Sequence, residues 1–115
     1  MISVFIAEDE PDLLFLYNFV FKKNNIEILA TAKNGEEAVE KFKQLTKKPD
    51  FVLLDHRMPF MTGIEVMEIL LKINPDLKVM IITADKGVSY EAMKMGAYKV
   101  ILKPISFKQI VKELN

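Results

Sequence analysis

Short apolar runs alternate along this chain with segments in which apolar side chains recur every three or four positions. "ISVFIA" (2–7) is brief, apolar and β-branched, and reads as a strand. Pro11 stands where a helix begins, and the pattern over 12–23 runs on to Asn24-Asn25. "IEILATA" (26–32) is the next strand. Asn34 followed three residues later by Glu37 is a capping-box pattern, and Ala38, Val39, Phe42 and Leu45 then line one helical face. "DFVLL" (50–54) is a third strand. Thr62 and Glu65 repeat the capping box and open a helix that Asn74-Pro75 ends. "KVMIIT" (78–83) is a fourth strand, 87–95 a short helix stopped by Gly96, and "KVIL" (99–102) a fifth strand. Ser106 and Gln109 cap a last helix that runs to the end of the sequence.

Continuously apolar strands alternating with helices indicate an α/β fold with one five-stranded parallel sheet, covered by helices on both faces. Right-handed crossovers leave few topologies for it. The 115 residues suit a single domain over 1–115, and with half of them hydrophobic a core forms without staples. No cysteine is present, which excludes a disulfide scaffold and thiolate metal sites and suits a reducing cytoplasm. Sixteen basic residues balance sixteen acidic ones, so direct nucleic-acid binding is not expected. No apolar run approaches the roughly 20 residues of a membrane span, and "MISVFIAEDE" turns acidic too early for a signal peptide. The single histidine, His56, excludes a multi-histidine metal site.

The polar residues just after each strand are the informative ones. Glu8, Asp9 and Glu10 follow the first strand, Asp55 follows the third, Thr83 ends the fourth and Lys103-Pro104 follow the fifth. In an open parallel sheet these strand ends share one edge, where ligands bind. Crowded carboxylates raise one another's pKa, and a divalent cation relieves the repulsion. Hard oxygen ligands suit Mg²⁺, which takes one or two carboxylates plus a phosphate and keeps several waters. A carboxylate beside such a metal can act as a nucleophile toward phosphorus and form an aspartyl-phosphate. Lys103 supplies positive charge, and the Thr83 hydroxyl can donate to a phosphate oxygen. Taken singly, each has a plainer reading. Glu8 and Asp9 fit a helix N-terminus, Thr83 an ordinary strand residue and Lys103-Pro104 an ordinary turn; those readings do not explain the coincidence.

These motifs, in this order and over nearly the whole chain, resemble the receiver domain of two-component response regulators, the chemotaxis-regulator type included. The resemblance rests on Glu8-Asp9-Glu10, on Asp55 with Met58-Pro59 and Gly63, on Thr83-Ala84 and on Lys103-Pro104. It implies a flavodoxin-like sheet of order 2-1-3-4-5. It also implies that Asp55 accepts a phosphoryl group from a histidine kinase or a histidine phosphotransfer protein. Asp9 would ligate Mg²⁺ directly, Glu8 through water, and the backbone carbonyl of Arg57 would be a further ligand beside Asp55. Thr83 and the Ala84 backbone N–H would bind phosphate oxygens, Lys103 would pair with the phosphate, and the bond to Pro104 would be cis. Such a protein acts on no substrate but itself. A Mg²⁺-dependent phosphohydrolase with an aspartyl nucleophile is the alternative, but it usually carries a second acid two residues after the nucleophile, where Arg57 stands. A receiver-like interaction module without phosphotransfer is a further one.

Three features depart from the family pattern. An aromatic residue is common three positions before the lysine; here Val100 occupies it, which implies a damped switch unless Tyr98, expected on the same face, takes over. Arg57 and Asp85 flank the acceptor site, and a salt bridge between them would slow attack by water on the phosphoryl group. Finally, the first helix is apolar nearly all round. Leu13, Tyr17, Val20 and Phe21 are expected inward with Leu16 beside them, while Leu14 and Phe15 are expected outward, as a partner-docking surface or a homodimer contact.

Overall fold

The computed structural model describes residues 1–115. It contains β1 (Ile2–Ala7), α1 (Pro11–Lys23), β2 (Ile26–Ala32), α2 (Gly35–Gln44), β3 (Phe51–Asp55), α3 (Gly63–Ile73), β4 (Lys78–Thr83), α4 (Lys86–Lys94), β5 (Lys99–Leu102) and α5 (Phe107–Leu114). The strands form one parallel sheet of order β2-β1-β3-β4-β5. Successive strand residues point to opposite faces, and the core divides accordingly. Val4, Ile6, Leu53, Met80, Ile82 and Ile101 pack with Tyr17 and Phe21 of α1 and Ile110 and Leu114 of α5. Phe5, Val52, Leu54, Val79 and Ile81 pack with Phe42 of α2, Met67 and Leu70 of α3 and Ala92 of α4. Both faces of the central strands are therefore dry, which is why their sequences are apolar without alternation.

The helix starts follow the expected caps. Asn34 accepts the Glu37 N–H at 2.8 Å, and Ser106 accepts the Gln109 N–H at 3.2 Å. At Thr62–Glu65 the capping box is complete, with Thr62 and Glu65 each accepting the other's backbone N–H. At Asn34 it is half formed, because the Glu37 carboxylate reaches the Lys33 N–H and the Lys41 ammonium instead. Gly96 ends the α4 segment at φ 111°, a conformation open to glycine.

Four expectations need correction. First, β3 starts at Phe51 and ends on Asp55 itself. Asp50 is outside it, because its carboxylate accepts the Ser3 N–H at 2.8 Å and closes the turn into the strand. Second, α4 begins at Lys86, because Asp85 caps it by accepting the Gly87 N–H at 2.7 Å. Third, Leu14 is half-buried against the α1/α5 core, whereas Leu16 is 44% exposed. At about 100° per residue, Leu14 lies about 60° from the inward Tyr17 and Leu16 about 100° from it. Phe15 is 70% exposed, as expected of an outward residue. Fourth, Tyr98 precedes β5, so strand alternation does not govern it. Its ring packs at 5.7 Å on Phe51, at the start of β3, while Val100 packs into the core under α2, α3 and α4. Tyr98 thus sits at the sheet edge opposite the strand ends and is not placed to substitute for Val100.

Candidate functional site

Sheet register builds the site before any side chain is considered. Ala7 lies opposite Leu54, so the next residues, Glu8 and Asp55, emerge side by side. Asp55 lies opposite Ile82, and Thr83 lies opposite Leu102. One step further along the edge are Thr83 and Lys103, whose N–H donates to the Thr83 carbonyl at 2.8 Å. Residues far apart in sequence thereby meet along one row.

Glu8, Asp55 and Thr83 are buried, at 1%, 2% and 5% exposure. Carboxylate oxygens of Glu8, Asp9 and Asp55 all lie within 4.8 Å of one another. Glu8 spends one oxygen on the Glu10 N–H at 3.1 Å; its Oε1 is buried with no hydrogen-bond partner. Burial, and then the charge of Asp55, push the Glu8 carboxyl up to about 7. Burial also raises Asp55, against the opposing pull of Lys103. The Lys103 ammonium stands 2.9 Å from Asp55 Oδ1, close enough for an ion pair but off the hydrogen-bonding direction. Burial alone would lower this lysine; the Asp55 carboxylate outweighs it and raises the ammonium pKa. The set is an acidic cluster with a single cation opposite, short of positive charge for the carboxylates it holds.

Asp55 joins this cluster to a cleft of about 740 Å³ lined by Thr83, Ala84, Lys103, Arg57, Asp85 and His56, among others. The Thr83 hydroxyl accepts the Asp85 N–H at 3.1 Å, which turns the loop after β4 over the cleft. On the other side the loop after β3 is clamped between two glycines. A Cβ on Gly63 would stand 2.8 Å from the Asp55 carbonyl oxygen and 2.9 Å from the His56 Cα. One on Gly35 would run into the Met61 Cβ. The Gly63 N–H donates to the His56 carbonyl at 2.9 Å, pinning the start of α3 to the residue after Asp55. Between the clamps, the Met61 N–H donates to the Pro59 carbonyl at 2.9 Å around Phe60, whose φ is 74°. This is a γ-turn of the rare, strained hand. It holds an aromatic ring 76% exposed beside the site.

The structure brings together Glu8, Asp9, Asp55, Thr83 and Lys103, and places Ala84, Arg57 and Asp85 on the rim. The Lys103–Pro104 peptide bond is cis. The anticipated Arg57–Asp85 salt bridge is not formed. Asp85 is turned away as the α4 cap, and Arg57 pairs with no carboxylate. Sequence reasoning missed the Phe60 turn, whose signal was a phenylalanine between Pro59 and Met61 where glycine or asparagine would be unstrained. It also missed Tyr17, whose buried hydroxyl has no partner and is raised by burial and then by the charges of Glu8 and Asp55. A lone tyrosine in an apolar helix gave no sign of that.

Comparison with known proteins agrees with this geometry. The family model described as response regulator receiver domain matches residues 4–115. The chain belongs to the response regulator receiver family. A relative among receivers, the chemotaxis protein CheY of Thermotoga maritima, is 36% identical over 114 residues, covering 97% of this chain and 93% of that protein. The response regulator TrrA of the same organism, solved in complex with Mg²⁺ and a beryllium fluoride, superimposes with a TM-score of 0.84 at 31% identity over the full length of both chains. CheY in the CheX–CheY–BeF₃–Mg²⁺ complex of Borrelia burgdorferi gives a TM-score of 0.91 at 27% identity, covering 98% of this chain and 86% of that one. Receivers are signalling modules of two-component phosphoacceptor systems, and the order β2-β1-β3-β4-β5 is theirs. No helix of this receiver is long and apolar enough to cross a membrane.

Proposed function

We propose that Asp55 is the phosphoacceptor, that phosphohistidine on a kinase or phosphotransfer protein is its donor, and that Mg²⁺ is the cofactor. The observation that carries this reading is the position of Asp55. It has Lys103 at 2.9 Å on one side and the Glu8–Asp9 carboxylates within 4.8 Å on the other. The donor set fits Mg²⁺: all-oxygen, acidic, and with the Glu8 Oε1 buried and unpartnered. Asp9, Asp55 and the Arg57 carbonyl would hold the ion directly and Glu8 through water. Bound there, the ion supplies positive charge to the phosphoryl oxygens.

In the transfer, an Asp55 oxygen attacks phosphorus and the P–N bond to the donor imidazole breaks, the nitrogen keeping the electron pair. Lys103 neutralises charge on the phosphoryl oxygens, and the Thr83 hydroxyl and Ala84 N–H donate to them. The Thr83 oxygen accepts the Asp85 N–H while its O–H stays free to donate, so closing on the phosphate draws the Asp85 loop along with it. That rearrangement carries the signal to α4, with a damped contribution from Val100, a partly buried β-branched residue with no ring to swing. Water later attacks phosphorus and breaks the P–O bond, returning inorganic phosphate and the free carboxylate. The protein thereby turns over only its own modification, and the cytoplasm is the setting that an ATP-fed phosphohistidine donor requires.

Incubation with Mg²⁺ and acetyl phosphate tests the assignment. Intact mass should report one added phosphoryl group, labile in base, and Asp55→Asn should abolish it. An adduct that survives Asp55→Asn overturns the assignment, as does an unmodified wild type with every small phosphodonor.

A further inference from the structure

The outward face of α1 is left bare by the fold. Phe15, Leu16 and Phe19 are 70%, 44% and 55% exposed there. The inward residues Leu13, Leu14, Val20, Tyr17 and Phe21 already supply the helix's share of the core. Asp12 lies exposed on the same outer face at the start of the helix, and Lys22 and Lys23 lie exposed at its end. Read from end to end, this face is acid, apolar centre, base.

Such a sequence is complementary to itself when reversed. The apolar centre lies near residue 17, and at 1.5 Å per residue the acid and the two bases stand about 8 Å on either side of it. In an antiparallel pair related by a two-fold axis through that point, Asp12 of each copy faces Lys22 and Lys23 of the other. Phe15 and Leu16 then meet Phe19, and the two helix dipoles oppose. A contact of this kind is isologous and closes at two copies, so it needs no second patch. The net charge of zero leaves no overall repulsion between copies.

We infer that the outer face of α1 is a self-association surface through which two copies of this chain pair antiparallel. The patch is small. Three side chains and their polar flanks fall short of a standard interface of about 1,600 Å², so the dimer is reversible and appears only at high concentration.

Sedimentation equilibrium of the full chain, from about 10 μM to about 1 mM, tests this. Wild type should show a monomer–dimer equilibrium that weakens with added salt. Phe15→Ser with Phe19→Ser should remain monomeric. Lys22→Asp with Lys23→Asp should raise the dissociation constant about tenfold, and adding Asp12→Lys to that pair should bring it back to within about threefold of wild type. Thermal melts of each variant show that it is folded. A wild type monomeric throughout overturns the inference and leaves the face to a different protein. A dimer indifferent to Phe15 and Phe19 overturns it by placing the contact elsewhere, such as around the exposed Tyr90 and Met93. A triple charge variant as weak as the double overturns the antiparallel pairing.

Discussion

The two edges of the sheet carry polar residues of the same kinds and treat them oppositely. At the N-terminal edge, Asp50 accepts the N–H of the buried Ser3 at 2.8 Å, and its own N–H donates to the Ser3 carbonyl at 2.9 Å. Lys78 rests over the rings of Phe51 and Tyr98, and Lys99 pairs with Glu113 at 3.4 Å. Each of these three charged side chains has a partner. At the C-terminal edge three carboxylates crowd together, Glu8 Oε1 has no partner, and Lys103 is the one ammonium paired with the cluster. At the first edge the polar groups are satisfied in place; at the second they are left short of partners, as the proposed ligand site requires. The difference marks the working edge without reference to any relative.

The largest expected effect follows from that shortage. An ordinary glutamate ionises near 4.5, and burial with the Asp55 charge moves Glu8 to about 7 in the folded protein. Between those values the folded state holds a proton the unfolded chain has released. Stability is therefore fully present below 4.5 and falls as pH rises through 7. After discounting for solvent screening at the open edge, the loss is roughly 1–2 kcal/mol by pH 8, and the raised Asp55 acts in the same direction. Glu8→Gln should remove most of it, melting higher than wild type at pH 8 in EDTA and equal to it at pH 4. Mg²⁺ should raise the wild-type melting temperature at pH 8 and that of Glu8→Gln much less. A melting temperature flat from pH 5 to pH 8 without Mg²⁺ would mean that the two edges do not differ as described.

The counterpart at the other edge has the opposite sign. Asp50→Ala strands the N–H of Ser3, which is fully buried, and should destabilise by roughly 2 kcal/mol. Acetyl phosphate should modify this variant at the wild-type rate. A change in that rate beyond about twofold would show that the edges are coupled, against the view that one holds the fold and the other the chemistry.

How much of this was legible in the sequence depends on the range of the interaction. Caps and the order of elements along the chain were readable, because Thr62 with Glu65 or Ser106 with Gln109 act within one turn, and strand ends of a parallel sheet share an edge whatever the details; the strand order within the sheet came only from the family resemblance. The convergence of Glu8, Asp9, Asp55, Thr83 and Lys103 followed from the order of elements alone. What failed depended on angles and on competition. Leu14 and Leu16 exchanged roles because their offsets from Tyr17, on opposite sides of it, differ by only about 40°. Asp85 had two possible partners, and the nearby backbone N–H groups of Gly87 and Val88 won over a more distant arginine. Tyr98 lay one residue outside the strand whose periodicity was applied to it.

A smaller effect is expected where the two edges differ in backbone. The loop bearing the Arg57 carbonyl holds Phe60 at φ 74°, a conformation that costs a non-glycine residue roughly 1–3 kcal/mol. Phe60→Gly relieves it, and after the added chain entropy of glycine the net gain should be about 1 kcal/mol, a rise of about 3–6 °C in melting temperature. The ring is exposed, so no packing is lost. An unchanged or lower melting temperature would mean that the ring is held by contacts stronger than the strain.

The smallest effect concerns water at the modified site. Arg57 lines the cleft and has no carboxylate partner, while Asp85 is committed to capping α4. Any shielding of the phosphoryl group therefore comes from the arginine alone, free to lean over phosphate oxygens once they are present. Arg57→Ala should shorten the phosphoryl lifetime about threefold, which corresponds to about 0.7 kcal/mol in the barrier to hydrolysis. Asp85→Ala should instead cost about 1 kcal/mol of stability through the lost cap and leave that lifetime within error. Equal effects of the two substitutions on lifetime would restore the salt bridge as the shield, formed only in the phosphorylated state. A wild-type lifetime in Arg57→Ala would leave the arginine as a solvated rim charge, and the control of hydrolysis would then rest with the groups that touch the phosphate, Thr83 and Lys103.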